Sequence, residues 1–197
     1  EYHARRRYPR AVDVAVIAAG LGGRLDSTNL IKPAISVITN IGHDHMDLLG
    51  NTLAKVAEEK AGIIKKEVPV IIGETKNETA KVFISVAKGK GSQIFFADRN
   101  FSCSMNDQET SAGEREYSVK DLTDNQITRG LIPLGGDYQE KNLITVFQVI
   151  KMLEPDFKIT QRALINGIRK VVINTGLQGR WQILGRDPLT ICDTGHN

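Results

Sequence analysis

Only two cysteines, Cys103 and Cys192, and a single tryptophan occur in the 197 residues. Two cysteines make no disulfide framework, and no CxxC pair or His/Cys cluster carries zinc-site spacing. No apolar run approaches the roughly 20 residues needed to span a bilayer. The first residues lack the succession of charged, apolar and small side chains that marks a signal peptide. The expectation is a cytoplasmic protein with no membrane partner. A strong excess of one charge is missing as well: 26 Lys and Arg against 23 Asp and Glu leave a net +3, which gives no reason to expect a nucleic-acid partner. The local exception is Arg5, Arg6, Arg7 and Arg10, a cluster that suits either an anionic partner or a solvated helix end. What is present is ordinary for a globular domain with a core, 41% hydrophobic and 25% charged residues.

The order of apolar patterns predicts an α/β fold. Residues 12–18 (VDVAVIA) form a near-continuous β-branched run, as in a strand buried on both faces, and end in the turn Gly20-Leu21-Gly22-Gly23. Further strands are expected at 34–38, 68–72 and 93–96. Helices are expected from the Thr52 cap to about 64, and over 79–87. Strands alternating with helices imply a mostly parallel sheet with flanking helices. Between Asn100 and Gly136 the sequence turns polar, and strand-like fragments at 101–105 and 117–119 suggest a small antiparallel β excursion. Helical periodicity returns at 139–152 and 160–171, followed by short strands at 181–184 and 189–192. The expected division is a domain over 1–185 and, over 186–197, the first strand of a second domain cut short.

Three short motifs invite chemistry, and each has a plainer reading. GLGG after a strand suits a phosphate-cradling turn or simply a tight strand-to-loop turn, and no GxxxxGK[ST] phosphate loop occurs anywhere. His43, His45 and Asp47 fall on one side of an extended segment, as a metal-binding set or as a polar loop capping the next helix. Without a third strong N or S ligand nearby, zinc is not expected. Glu58-Glu59-Lys60 on a helix reads equally as a solvated face.

Taken together, the segments change meaning. GLGGRLDSTN (20–29), TNIGHDHMD (39–47), EKAGI (59–63), GGDYQEKN (135–142), Gly179-Arg180 and DTGHN (193–197) follow in this order. The sequence resembles the folylpolyglutamate/dihydrofolate synthase family of the Mur ligase superfamily, most weakly between Asn100 and Gly130. The resemblance implies an ATP-dependent ligase in which a substrate carboxylate becomes an acyl phosphate and the amino group of L-glutamate attacks it. Substrates would be ATP, dihydropteroate or folate, and glutamate, with magnesium as cofactor and a monomer as the working form. It implies a magnesium-binding role for His45 and a carbamate on Lys60, which requires that lysine to react in its neutral form. It places Leu25, Asp26 and Ser27 at the pteroate end of the substrate. Asp26 has the carboxylate that a donor-rich pterin edge needs, and with Ser27, Thr28 and Asn29 it equally favours a turn. Asn142, Arg180, Asp193 and His196 match ATP-contacting positions.

Two features depart from the family. The phosphate loop is absent from these residues, and Ala18 stands where the family carries a glutamate that binds magnesium. The expectation is a central region that does not turn over by itself. Another Mur-type ligase of cell-wall synthesis shares the DHMD-like loop and the lysine, while GLGGRLDSTN favours the folate branch. A non-catalytic folate- or nucleotide-binding fragment is the reading that Ala18 keeps open.

Overall fold

The computed structural model describes residues 12–42, 51–111, 113–180 and 182–194. Its first layer is a parallel sheet in the order β1-β2-β3, with β1 Ser36–Ile38, β2 Val70–Ile72 and β3 Ile94–Phe96. Successive side chains of a strand point to opposite faces, and β2 shows the consequence. Val70 and Ile72 enter one core, with Val56, Ala57, Ala61 and Phe83 of helices α1 (Leu53–Ala61) and α2 (Asn77–Gly89). Ile71 enters the other, with Leu143, Ile144 and Phe147 of α4 (Gln139–Leu153). Helices therefore cover both faces of the parallel sheet, as expected. Thr52 caps α1, its Oγ1 accepting from the Lys55 amide at 3.3 Å.

A one-turn helix, α3 (Ala97–Asn100), leads into an antiparallel sheet in the order β4-β5-β6: β4 Phe101–Glu109, β5 Arg115–Asp121 and β6 Ile127–Ile132. The excursion expected from sequence is thus a complete three-stranded sheet. Its inner face carries Phe101, Tyr117, Val119 and Ile132 against α4 and against Ile168 of α5 (Gln161–Arg169). The Phe147 ring sits 6.2 Å from Phe101 and, edge-on, 6.3 Å from Tyr117. The expected helix over 160–171 divides into α5, capped by Thr160, and a short α6 (Val171–Thr175). The chain closes with the hairpin β7 (Gln182–Arg186) and β8 (Leu189–Cys192). The division expected between 185 and 186 falls inside that hairpin, and Trp181 lies outside the described residues.

One expectation fails. Residues 12–18 form no strand, and Val16 is 94% exposed. A strand exists only through its ladder, and among the described residues none runs alongside this segment. Its apolar pattern specifies what it can bury, not what it meets. Among the described residues no helix is long and apolar enough to cross a membrane.

Candidate functional site

The loop GLGGRLDSTN and the segment EKAGI, whose Arg24 and Glu59 are 35 positions apart, are built into one another. Gly22 and Gly23 have φ of 66° and 151°, conformations open to glycine. At Gly62 the backbone of Arg24 lies so close that an added Cβ would collide with its Cα, Cβ and amide nitrogen. The Arg24 amide donates to the Glu59 carbonyl at 3.0 Å. Its guanidinium forks onto the Glu59 carboxylate, with Nη2–Oε1 at 2.9 Å and Nε–Oε1 at 3.1 Å. Asn29 completes the joint, its Nδ2 donating to the carbonyls of Arg24 at 3.1 Å and Gly62 at 3.2 Å. Lys60, half-buried in the last turn of α1, follows directly on the clasped Glu59.

Asp26 is the internal tie of the loop. Its Oδ1 accepts from the hydroxyl and amide of Thr28, and its Oδ2 from the amides of Gly20 at 2.8 Å and Leu21 at 3.4 Å. The Thr28 hydroxyl first, then the Thr28 and Gly20 amides, bring its pKa down to about 2. The turn-forming role is therefore the one the geometry displays, and both carboxylate oxygens are committed to it. Leu25, 82% exposed, and Ser27, also exposed, flank it and are open to a ligand. A 3-10 turn, Ser27–Leu30, follows, and the Lys65 ammonium donates to the Asn29 carbonyl.

A second assembly lies at the carboxyl ends of the parallel strands, where ligands of open α/β sheets gather. Just beyond β2, Gly73 packs against the Thr39 carbonyl and leaves no room for a side chain beside Thr145 Oγ1 of α4. The Lys76 ammonium donates to the Ile41 carbonyl at 2.6 Å, and Lys141 pairs with Glu74 at 2.9 Å. The amino end of α4 therefore stands over the point where the chain leaves β1 for the DHMD loop. That loop, with His43, Asp44, His45 and Asp47, lies outside the described residues. Asn142 is exposed in the first turn of α4, and the buried Gln139 accepts from its Nδ2 at 2.9 Å. No side chain caps this 15-residue helix, whose amide end carries the positive pole of its dipole.

Arg180 and Asp193 are brought together by the β7–β8 hairpin. Thr194 bonds the Gly179 carbonyl through both its amide, at 2.9 Å, and its hydroxyl, at 3.0 Å. Gly179, with φ of 67°, has Thr194 Cγ2 where a Cβ would stand. The neighbours of this contact are Arg180, exposed, and Asp193. His196 lies outside the described residues. The ion pair Arg24–Glu59 and the buried Arg115 went unmarked in the sequence, since Glu58-Glu59-Lys60 reads as a solvated face and Arg115 sits where periodicity fails.

The residues implied to hold magnesium are only partly among those described, since His45 lies outside them. Ala18 offers only a methyl group, and among the described residues no group of three His, Cys, Asp or Glu side chains converges. A cleft of about 210 Å³ elsewhere, between β4–β6 and the far end of α4, contains one lysine, Lys151, already committed to Asp121 and Thr123.

Residues 10–150 match the family model of the Mur ligase middle domain. Over 190 residues the sequence is 34% identical to the folylpolyglutamate synthase of Lacticaseibacillus casei, an alignment covering 95% of this chain and 43% of that protein. The dihydrofolate synthase/folylpolyglutamate synthase of Bacillus subtilis (strain 168) is 32% identical over 94% of this chain and 42% of its own length. The apo form of the L. casei enzyme superposes with a TM-score of 0.85 at 32% identity, over 100% of this chain and 46% of that one. The chain thus spans less than half the length of the relatives it matches.

Proposed function

The chain belongs to the Mur ligase middle-domain family, and from that premise we propose that the protein containing it is an ATP-dependent ligase adding L-glutamate to dihydropteroate or a folate. The observation that carries the reading is the interlock of GLGGRLDSTN with EKAGI, in a chain that superposes over its whole length on a folylpolyglutamate synthase. One solved folylpolyglutamate synthase structure is a complex with AMPPCP and folate, with a TM-score of 0.85 at 33% identity to this chain. Its two bound molecules are the substrate classes proposed here.

In the first step an oxygen of the substrate carboxylate attacks the terminal phosphorus of ATP, and ADP leaves. In the second, the glutamate amino group attacks the acyl carbon, the amide forms, phosphate leaves and the nitrogen loses a proton. Such chemistry depends on positioning and on charge stabilisation around the phosphoryl group. Asn142 and the positive pole at the amino end of α4 suit the nucleotide. Arg180 supplies a guanidinium fork for a phosphate, and Asp193 a carboxylate for a ribose hydroxyl. Leu25 and Ser27 would face the pteroate, with Asp26 holding their loop. Lys60, kept beside that loop by the Glu59–Arg24 clasp, is the residue assigned the carbamate. Magnesium, His45 and His196 belong to this reading through the family alone.

The test is incorporation of labelled glutamate into dihydropteroate and into tetrahydrofolate by the full-length protein, with ATP. Ligation that depends on ATP and falls at least tenfold in Lys60→Ala is expected; no glutamate incorporation from either acceptor overturns the reading. Ala18 favours a second reading, a folate binder without turnover. It predicts calorimetric binding of dihydropteroate with no ATP consumed.

A further inference from the structure

Two charged side chains tie the antiparallel sheet to the amino end of α4. Arg115, the first residue of β5, is only 8% exposed, which for an arginine requires that its donors be met. They are: Nε donates to the Asn106 carbonyl at 2.8 Å, Nη2 to Asp107 at 3.3 Å and Nη1 to Asp137 at 2.9 Å. Asp137 belongs to the turn GGDYQEKN, one residue before the Tyr138 that opens α4. The second point is Glu140, in the first turn of α4, whose Oε1 accepts from the Met105 amide at 2.8 Å. Met105 stands where the β4–β5 register shifts, between Met105 and Glu109, so an amide that leaves the regular ladder is taken up by the helix instead.

The same sheet end also touches the β7–β8 hairpin. At Gly113, in the β4–β5 turn, an added Cβ would meet Arg186 Nη2 at 2.9 Å and Ile183 Cδ1 at 3.0 Å, both on β7. That hairpin carries Arg180 before it and Asp193 after it. The sheet thus holds the amino end of α4 through Arg115 and touches the hairpin at Ile183 and at Arg186, the latter at the turn end opposite Arg180 and Asp193.

We propose that Arg115 is a positioning residue, anchoring the Gly135–Asn142 segment to the antiparallel sheet so that the amino end of α4 is held in place for ATP. This rests on the proposal that Asn142 faces the nucleotide. A lysine does not substitute for it, because an ammonium presents a point charge and not a planar fork reaching three acceptors.

The experiment uses the full-length protein with Arg115→Gln, Arg115→Lys, Asp137→Asn and Asn142→Ala, measuring kcat, KM for ATP and KM for the folate substrate separately. Arg115→Gln is expected to raise KM for ATP about tenfold, the factor that about 1.4 kcal/mol represents, with KM for folate within twofold of the parent. Arg115→Lys falls between. Asp137 has an exposed side chain, so Asp137→Asn folds even if Arg115→Gln does not, and it moves KM for ATP in the same direction. A sheet that only supports folding would lower the melting temperature and the active fraction while leaving KM for ATP unmoved, and that outcome overturns the proposal. If Asn142→Ala raises KM for ATP but the Arg115 and Asp137 variants do not, the anchor is wrong and the nucleotide reading stands. If Asn142→Ala changes nothing, the nucleotide reading of α4 fails and the anchor with it.

Discussion

At the scale of single residues, Tyr117 and Asp26 show opposite uses of a polar group. Tyr117 lies fully buried among Phe147, Val119 and the backbone of Gly130, and its hydroxyl finds no hydrogen-bond partner among the described residues. An unmet buried hydroxyl costs roughly 1–3 kcal/mol, so Tyr117→Phe should leave stability unchanged or raise it by about 1 kcal/mol in urea unfolding. Burial, then the nearby Cys103, pushes the Tyr117 pKa up to about 12. A group whose pKa is higher folded than unfolded stabilises fully below the unfolded value, near pH 10 for tyrosine. That contribution fades as pH climbs toward 12, and Tyr117→Phe should flatten the alkaline fall in melting temperature. Asp26 runs the other way. Its pKa of about 2 means that the loop tie is complete above the unfolded value near 4 and is lost as pH falls through 2. Asp26→Ala should abolish hydrogen-exchange protection at the Gly20 and Thr28 amides while α2 keeps its own.

At the scale of elements, the joint between α1 and the GLGGRLDSTN loop has a steric part and an ionic part, and the steric part is the stronger. Gly62→Ala drives a methyl into the Arg24 backbone, and overpacking of this kind costs about 1–3 kcal/mol. Arg24→Ala removes an exposed ion pair, a class of interaction of small worth in water. Denaturant titration should therefore rank Gly62→Ala as the more damaging, and a larger loss from Arg24→Ala would show that the clasp, not the close approach, holds the loop. At the other end of α1, Thr52→Ala removes the bond to the Lys55 amide, with an expected loss of about 1 kcal/mol.

At the scale of the whole molecule, the surface is uneven. Val12, Val14, Val16, Ile17, Leu21, Leu25, Leu30 and Ile31 are all exposed within twenty residues, whereas the residues of β2 are fully buried. Ala18 lies inside that exposed stretch, next to the loop that meets EKAGI. Under the proposed reading, a carboxylate there would supply the oxygen donor that the resemblance implies at this position. In the full-length protein Ala18→Glu should raise magnesium affinity at least tenfold in a calorimetric titration. An unchanged affinity would mean that position 18 has no part in metal binding.

The amino-acid sequence by itself determined the family and most elements. Periodicities of 2 and 3.6 are local, and so are Thr52 and Thr160 as caps and the order of GLGGRLDSTN, EKAGI and GGDYQEKN. It also marked Asp26 as a turn former as well as a pterin partner. Strand β6 escaped it because Ile127–Ile132 carries Arg129 and Gly130 in the middle, and the glycine is there to admit the Tyr117 ring, a demand set by another strand. Residues 12–18 read as a buried strand because their pattern says what they can bury; whether a ladder forms depends on what lies beside them. Only the tertiary structure decided that Gly62 must pass the Arg24 backbone, that Glu59 is a clasp and not a solvated charge, and that Arg115 reaches Asp137. Each of these is a contact between residues more than twenty positions apart, and close approach, burial and charge pairing at that separation leave no periodicity in the chain to be read.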